Sequence, residues 1–124
     1  LPDSLATLPN LTKLSISENK LTSLPAAVWG MKGLTFLGLQ QNQFTEIPAS
    51  ITGLKDTLLT LYLEGNKITS LPACLTDLGE LVRFSAKNNP LEQTPELKET
   101  LDKLKTIVNE NGTKPDKGGA KFIV

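Results

Sequence analysis

Residues 34–54 read LTFLGLQQNQFTEIPASITGL, and this stretch decides the fold because its frame recurs along the chain. Leu34, Leu37, Leu39, Asn42, Phe44, Ile47, Ile51 and Leu54 hold fixed places in it. Residues 58–78 refill those places with Leu58, Leu61, Leu63, Asn66, Ile68, Leu71, Leu75 and Leu78. Residues 11–31 do so with Leu11, Leu14, Ile16, Asn19, Leu21, Leu24, Val28 and Met31. A fourth unit begins with Leu81, Phe84, Ala86, Asn89 and Leu91 and loses the pattern at Thr94, while Leu1, Leu5 and Leu8 match the back half of an earlier one. Pro2, Pro25, Pro48, Pro72 and Pro95 lie 23, 23, 24 and 23 residues apart, and Asn19, Asn42, Asn66 and Asn89 keep step with them. Chance does not fill 24 template places in three units with apolar residues and Asn.

The residue types say what each unit does. Leu-x-Leu alternation makes a short strand with its leucines on one face. The Asn side chain satisfies buried backbone groups where the strand turns, which a Leu could not do. Proline then keeps the following backbone from pairing as a central strand, so the return path becomes a helical turn or an irregular stretch. One unit cannot bury its own leucines, and stacking the units makes the core continuous. A helical bundle does not accommodate prolines and turn asparagines at this regular spacing. The third unit's period is longer by one residue around Lys55-Asp56-Thr57; that insertion belongs on the return side, because lengthening the strand would flip its side chains.

The template resembles the leucine-rich repeat family, specifically its 23-residue class with Leu-Pro-x-x-Leu in the variable half, over residues 1–95. The resemblance implies an α/β solenoid with a parallel concave sheet and an irregular or short-helical convex side. That class is similar to intracellular Ras-pathway scaffolds, to plant Ras-group repeat proteins and to the repeat segments of Roco GTPases. By that resemblance the chain is a non-enzymatic protein–protein interaction module of the signalling-scaffold kind, holding a protein or peptide partner on the concave face. The alternative is a substrate-recognition segment excised from a larger enzyme, such as a kinase, a Roco-type GTPase or a ubiquitin ligase.

Composition changes near residue 87: the last 38 residues carry 13 of the 26 charges. Thr94 and Pro95 read as an N-cap and first-turn pair, with Glu96 near the positive helix end. Leu97, Leu101, Leu104 and Val108, widened by Ile107, then form one helical face, and Asn111-Gly112 reads as its stop. A charged helix with one apolar stripe suits the end of a solenoid whose core is otherwise open. The division expected is therefore a solenoid over 1–95, a C-terminal capping helix over 96–111 and a flexible tail over 112–124, the last with linker composition. The terminus Phe122-Ile123-Val124 has the apolar-x-apolar form of peptides captured by strand addition, or it packs back on the cap.

Little in the chain supports catalysis. With no His, every His-dependent triad or zinc site is excluded within it, and with one Cys no internal disulfide or multi-Cys zinc site exists. There is no phosphate-binding Gly-rich loop. Cys74 sits at a variable convex position without a base to activate it. No enzyme, no catalytic residue, no metal site and no cofactor is expected. Thirteen Lys plus Arg balance thirteen Asp plus Glu, which argues against nucleic acid as the main partner. No apolar run approaches the ~18 residues that span a bilayer, and no positively charged stretch leads into an apolar one. Secreted members of the family usually carry paired-Cys caps, so by the resemblance their absence points to an intracellular, cytoplasmic protein, or to a bacterial or truncated one; a monomer is expected. Asn10-Leu-Thr12 and Asn111-Gly-Thr113 fit the glycosylation triplet, a pattern frequent by chance.

If the work is binding, the alternation says where. Residues flanking the strand leucines point away from the core. The first outward row is Lys13, Phe36, Thr60 and Arg83; the second is Ser15, Gly38, Tyr62 and Ser85; the third is Ser17, Gln40, Glu64 and Lys87. Phe36 and Tyr62 fall on neighbouring strands about 5 Å apart, with Gly38 leaving a dip beside them and Arg83 nearby. The candidate partner-binding residues are Phe36, Gln40, Tyr62, Glu64, Arg83 and Lys87. Trp29 is the rival marker, expected on the convex side and packed against the adjacent unit.

Overall fold

Each Leu-x-Leu segment becomes a three-residue strand centred on its first leucine or the residue that replaces it. In the computed structural model, which describes residues 12–24, 26–31, 33–112 and 121–123, these are β1 (Lys13–Ser15), β2 (Phe36–Gly38), β3 (Thr60–Tyr62) and β4 (Arg83–Ser85). They pair in parallel and in sequence order, with Leu14, Leu37, Leu61 and Phe84 in register. The return paths carry short 3-10 helices at Ala26–Gly30, Ala49–Leu54 and Ala73–Asp77. The last two start directly after Pro48 (φ −71°, ψ 154°) and Pro72 (φ −69°, ψ 142°), whose extended backbone and missing N–H end any strand. The extra residue of the third unit lies where the sequence placed it. The 3-10 helix Ala49–Leu54 is one residue longer than its neighbours and runs into the turn Lys55–Thr57, so strand register is kept.

The core lies between the sheet and these turns. Leu34, Leu37, Leu39, Ile51, Leu54, Leu58, Leu61, Leu63, Leu75 and Leu78 are all fully buried, the template leucines of one unit stacked on those of the next. Close approach of the turns needs Gly53: a Cβ there would collide with the backbone carbonyl oxygen of Trp29, and that contact cannot yield as a flexible side chain would. Trp29 itself is buried, as expected of packing against the adjacent unit.

Asparagine closes each turn. Asn66 Nδ2 donates to the carbonyls of Leu39 (2.9 Å), Leu63 (2.9 Å) and Glu64 (3.3 Å), and its Oδ1 accepts from the Phe44 amide at 3.2 Å. Asn42 does the same for Ile16, Leu39 and Gln40 and accepts from the amides of Asn19 and Leu21; Asn89 serves Leu63, Ala86 and Lys87 and accepts from Ile68. The residue before each ladder Asn turns left-handed: φ is 61° at Glu18, 58° at Gln41, 70° at Gly65 and 62° at Asn88. Glycine meets that demand without strain only at Gly65.

The chain's last third departs from the expected plan in two ways. The helix α1 (Pro95–Gly112) forms, capped by Thr94, whose Oγ1 accepts the Leu97 amide at 3.1 Å. Its buried face, however, is Leu97, Thr100, Leu104, Val108 and Asn111, with Leu101 and Ile107 only half-buried. The helix ends at Gly112, where the sequence places its stop, and Asn111 is also an inward-facing anchor: its Nδ2 donates to the carbonyls of Gly79 (2.8 Å) and Leu81 (2.9 Å). It is buried, and its amide is spent on backbone rather than offered as a glycosylation acceptor.

The second departure is a fifth strand, β5 (Lys121–Ile123), parallel to β4 with Phe122 in register with Phe84. The two rings stack at 5.6 Å and 25°, and the Ala86 amide donates to the Ile123 carbonyl at 2.9 Å. Phe122 thus takes the template place of a strand leucine, and α1, packed on the Ala73–Asp77 turn and on β5, stands where a short return turn would be. The expectation of a tail over 112–124 fails for 121–123; residues 113–120 and Val124 lie outside the described residues, as does the half unit with Leu1, Leu5 and Leu8.

Candidate functional site

The two faces of the sheet differ in kind. Leu14, Leu37, Leu61 and Phe84 point into the core, so their strand neighbours form an open face in the register Lys13–Phe36–Thr60–Arg83 and Ser15–Gly38–Tyr62–Ser85, as the alternation requires. Phe36 and Tyr62 meet there edge-to-face, ring centroids 5.6 Å apart at 86°, one strand and one pleat offset. Each is half-buried, because each covers the other. Arg83, Glu64 and Gln40 are half-buried beside them, and Lys87 is exposed.

Three positions differ from the reading by alternation. Thr60, between the larger Phe36 and Arg83 in register, is buried, and Ser85, flanked by Tyr62 and by Ile123 of the unforeseen β5, is fully buried. Gly38 does not leave a dip. A Cβ on it would lie 2.8 Å from Gln40 Oε1 and 3.1 Å from Phe36 Cε1, so those two side chains already roof the space. Among the described residues, Gln40 Oε1 and Ser85 Oγ are buried without a hydrogen-bond partner. Gln40 folds down over Gly38 because no side chain stops it, leaving its amide oxygen unsatisfied at the centre of the face.

The backbone beneath the candidate residues is pinned by the asparagine ladder. Carbonyls of Gln40, Glu64 and Lys87 accept from Asn42, Asn66 and Asn89, and also from the amides of Glu18, Gln41 and Gly65. The third outward row therefore sits on a fixed frame while its side chains vary. This link between ladder and site was not drawn from the sequence, though the constant spacing of each Asn two residues after Gln40, Glu64 and Lys87 carries it.

Elsewhere, a cleft of about 310 Å³ lies between successive Leu-Pro segments, lined by Trp29, Phe44, Ile47 and Pro48 among others, and a groove of about 520 Å³ runs between α1 and β5 past Leu101, Lys98 and Phe122. Cys74 is half-buried on its turn; burial first, and the Asp77 carboxylate second, push its thiol up, so thiolate is scarce at neutral pH. Among the described residues no three acidic or Cys side chains gather as a metal site, and no helix is long and apolar enough to cross a membrane.

Comparison with known proteins places this geometry. Leucine-rich repeat family models match residues 1–44 and 57–78. A leucine-rich repeat protein of Leptospira interrogans is 36% identical with a TM-score of 0.74, over 84% of this chain and 26% of that one. A chain of the Drosophila Toll–Spatzle complex is 29% identical with a TM-score of 0.68, over 82% of this chain and 14% of that one. No curated protein matches. The molecule is a domain of the repeat-solenoid class, a parallel sheet with short helices opposite and a C-terminal helix. It belongs to the leucine-rich repeat family, whose domains are generally protein-binding modules and usually non-catalytic, and it spans about a quarter or less of the length of these solved relatives.

Proposed function

We propose that the domain binds a protein or peptide partner on the open face of its sheet, the face that the family resemblance makes concave, without catalysis. The contact centres on Phe36 and Tyr62 and is bordered by Gln40, Glu64, Arg83 and Lys87. The observation that carries this is the edge-to-face aromatic pair on the side of the sheet away from the core. Two rings there have no part in closing the solenoid, and interface hot spots favour aromatics and Arg seated among smaller polar groups. The Gln40 amide supports it, since a partner's backbone N–H supplies the hydrogen bond it lacks when it swings off Gly38. The Drosophila relative occurs in a complex of two proteins, which fits the same kind of use. We also read the domain as a monomeric, cytoplasmic scaffold of the 23-residue Leu-Pro class.

A random peptide display library selected on the intact domain tests the site. Phe36→Ala and Tyr62→Ala each weaken the selected peptides by at least ~5-fold, about 1 kcal/mol. Ser50→Ala, exposed on the opposite turns, leaves them unchanged. Loss with Ser50→Ala and retention with both aromatic variants puts the contact on the other side of the solenoid.

A further inference from the structure

Trp29 plays no part in the open face and departs from the repeat. Thr52 and Thr76 hold its template place, and each turns its hydroxyl back onto a carbonyl of its own 3-10 helix, at 3.0 and 2.9 Å. The indole instead shares the wall of the cleft of about 310 Å³ with residues of the next unit. Leu24, Trp29, Phe44 and Ile47 line that cleft and are buried, so its floor is apolar and built from both units. The rim is exposed and polar, made of Glu46 and four Ser and Thr side chains. Among the described residues Glu46 makes no ion pair and those hydroxyls make no hydrogen bond. No described Lys or Arg lines the cleft, the chain has no His, and Pro25, Ala26 and Ala27, which follow Leu24, add no charge.

We propose that this cleft is a small-molecule site, separate from the open face, for a primary ammonium carried on an apolar body the size of one aromatic ring. Its volume is at the lower end of the ~300–1,000 Å³ of ligand pockets, room for one ring and a short side chain. The ring displaces water from the apolar floor, which is where the affinity comes from. The ammonium has three N–H donors and no acceptor, so it suits a rim of carboxylate and hydroxyl oxygens. An anion in the same place would meet Glu46 with no described cation to balance it. A neutral alcohol would find the floor but lose the charge-assisted bond. Because Glu46 is exposed, water screens the pair, so the carboxylate sets the preference between ligands more than the strength of binding.

Trp29 is the chain's only tryptophan, so its fluorescence reports on the cleft directly. The probes are phenethylammonium chloride and phenethyl alcohol, the same ring with a hydroxyl in place of the ammonium, each titrated into the full chain. Phenethylammonium shifts the emission and binds at least ~3-fold tighter than the alcohol at low salt, and the gap narrows as salt rises. Glu46→Gln brings the two probes level. Asp56→Asn, which removes an exposed carboxylate from a turn outside the cleft, keeps the gap. Ser23→Phe fills the rim and weakens both probes at least ~5-fold, with its circular dichroism unchanged. Two probes that bind alike to the native chain, or a gap that survives Glu46→Gln, overturn the ammonium reading. A full response in the folded Ser23→Phe chain puts the probes outside the cleft and overturns the site. No shift with either probe up to ~10 mM, about the weakest binding expected of a ligand with so few atoms, also overturns it. None of these outcomes bears on Phe36 and Tyr62, whose peptides are tested separately.

Discussion

A strand of three residues leaves the backbone at its exit without sheet partners, and in each unit one amide side chain takes up those groups. Asn66 is the fullest case: three carbonyls and one amide converge on a side chain that is 6% exposed. Asn66→Ala strands several buried groups at once, and each such loss costs about 1–3 kcal/mol, so urea denaturation shows a loss of about 3 kcal/mol or more. Asn19 holds the same template place but is exposed, and among the described residues its side chain donates one hydrogen bond, to the Ser17 carbonyl at 2.8 Å. Asn19→Ala therefore costs less than about 1 kcal/mol. Equal losses would mean that the template place, and not the depth of the ladder, sets the contribution. Sequence spacing alone shows both asparagines as equivalent; burial under a neighbouring unit distinguishes them.

At the scale of elements, legibility followed the period. The strands β1 to β4, their register and the return-side insertion are readable because their residues repeat every 23 or 24 positions. The fifth strand is not, because Lys121 follows its register partner Arg83 by 38 positions, with α1 between. Its signal was present in Phe122-x-Val124, which matches Leu61-x-Leu63, but the same three residues also suit a strand-addition ligand. The apolar stripe of α1 is legible at Leu97, Leu104 and Val108, and Leu101 packs half-buried against the core; Thr100 faces further inward, with the Asn111 hydrogen bonds fixing the helix's rotation. The aromatic pair was readable from alternation, whereas the roof over Gly38 needed the rotamers of Gln40 and Phe36. The N-cap gives this scale its test. Thr94→Ala leaves the Leu97 amide without its partner and lowers stability by about 1 kcal/mol, and Thr94→Ser restores most of it. Thermal unfolding followed at 222 nm reads both, and a Ser variant as weak as the Ala variant would rule out the hydroxyl as the cause.

Across the whole molecule, neighbouring strands are joined in sequence order, so each unit is held by the units beside it. Stability in such a stack is the sum of unit and interface contributions, and opening starts where an interface is missing. Among the described residues β5 has a strand on one side alone, whereas β3 has β2 and β4. Phe122→Ala removes a half-buried ring stacked on Phe84, and Leu61→Ala removes a fully buried side chain at the centre of the sheet, costing about 3 kcal/mol. Native-state hydrogen exchange separates their consequences. Phe122→Ala speeds exchange of the Ala86 amide, which donates to Ile123, and leaves the Leu39 amide, which donates to Tyr62, protected. Leu61→Ala speeds exchange at Leu39, Leu63 and Ala86 together, because the units on both sides lose their shared neighbour. If Phe122→Ala exposes Leu39 as much as Ala86, the units do not open separately. The open face then holds its shape as one body, and a partner bound at Phe36 and Tyr62 would stabilise the stack as far as β5.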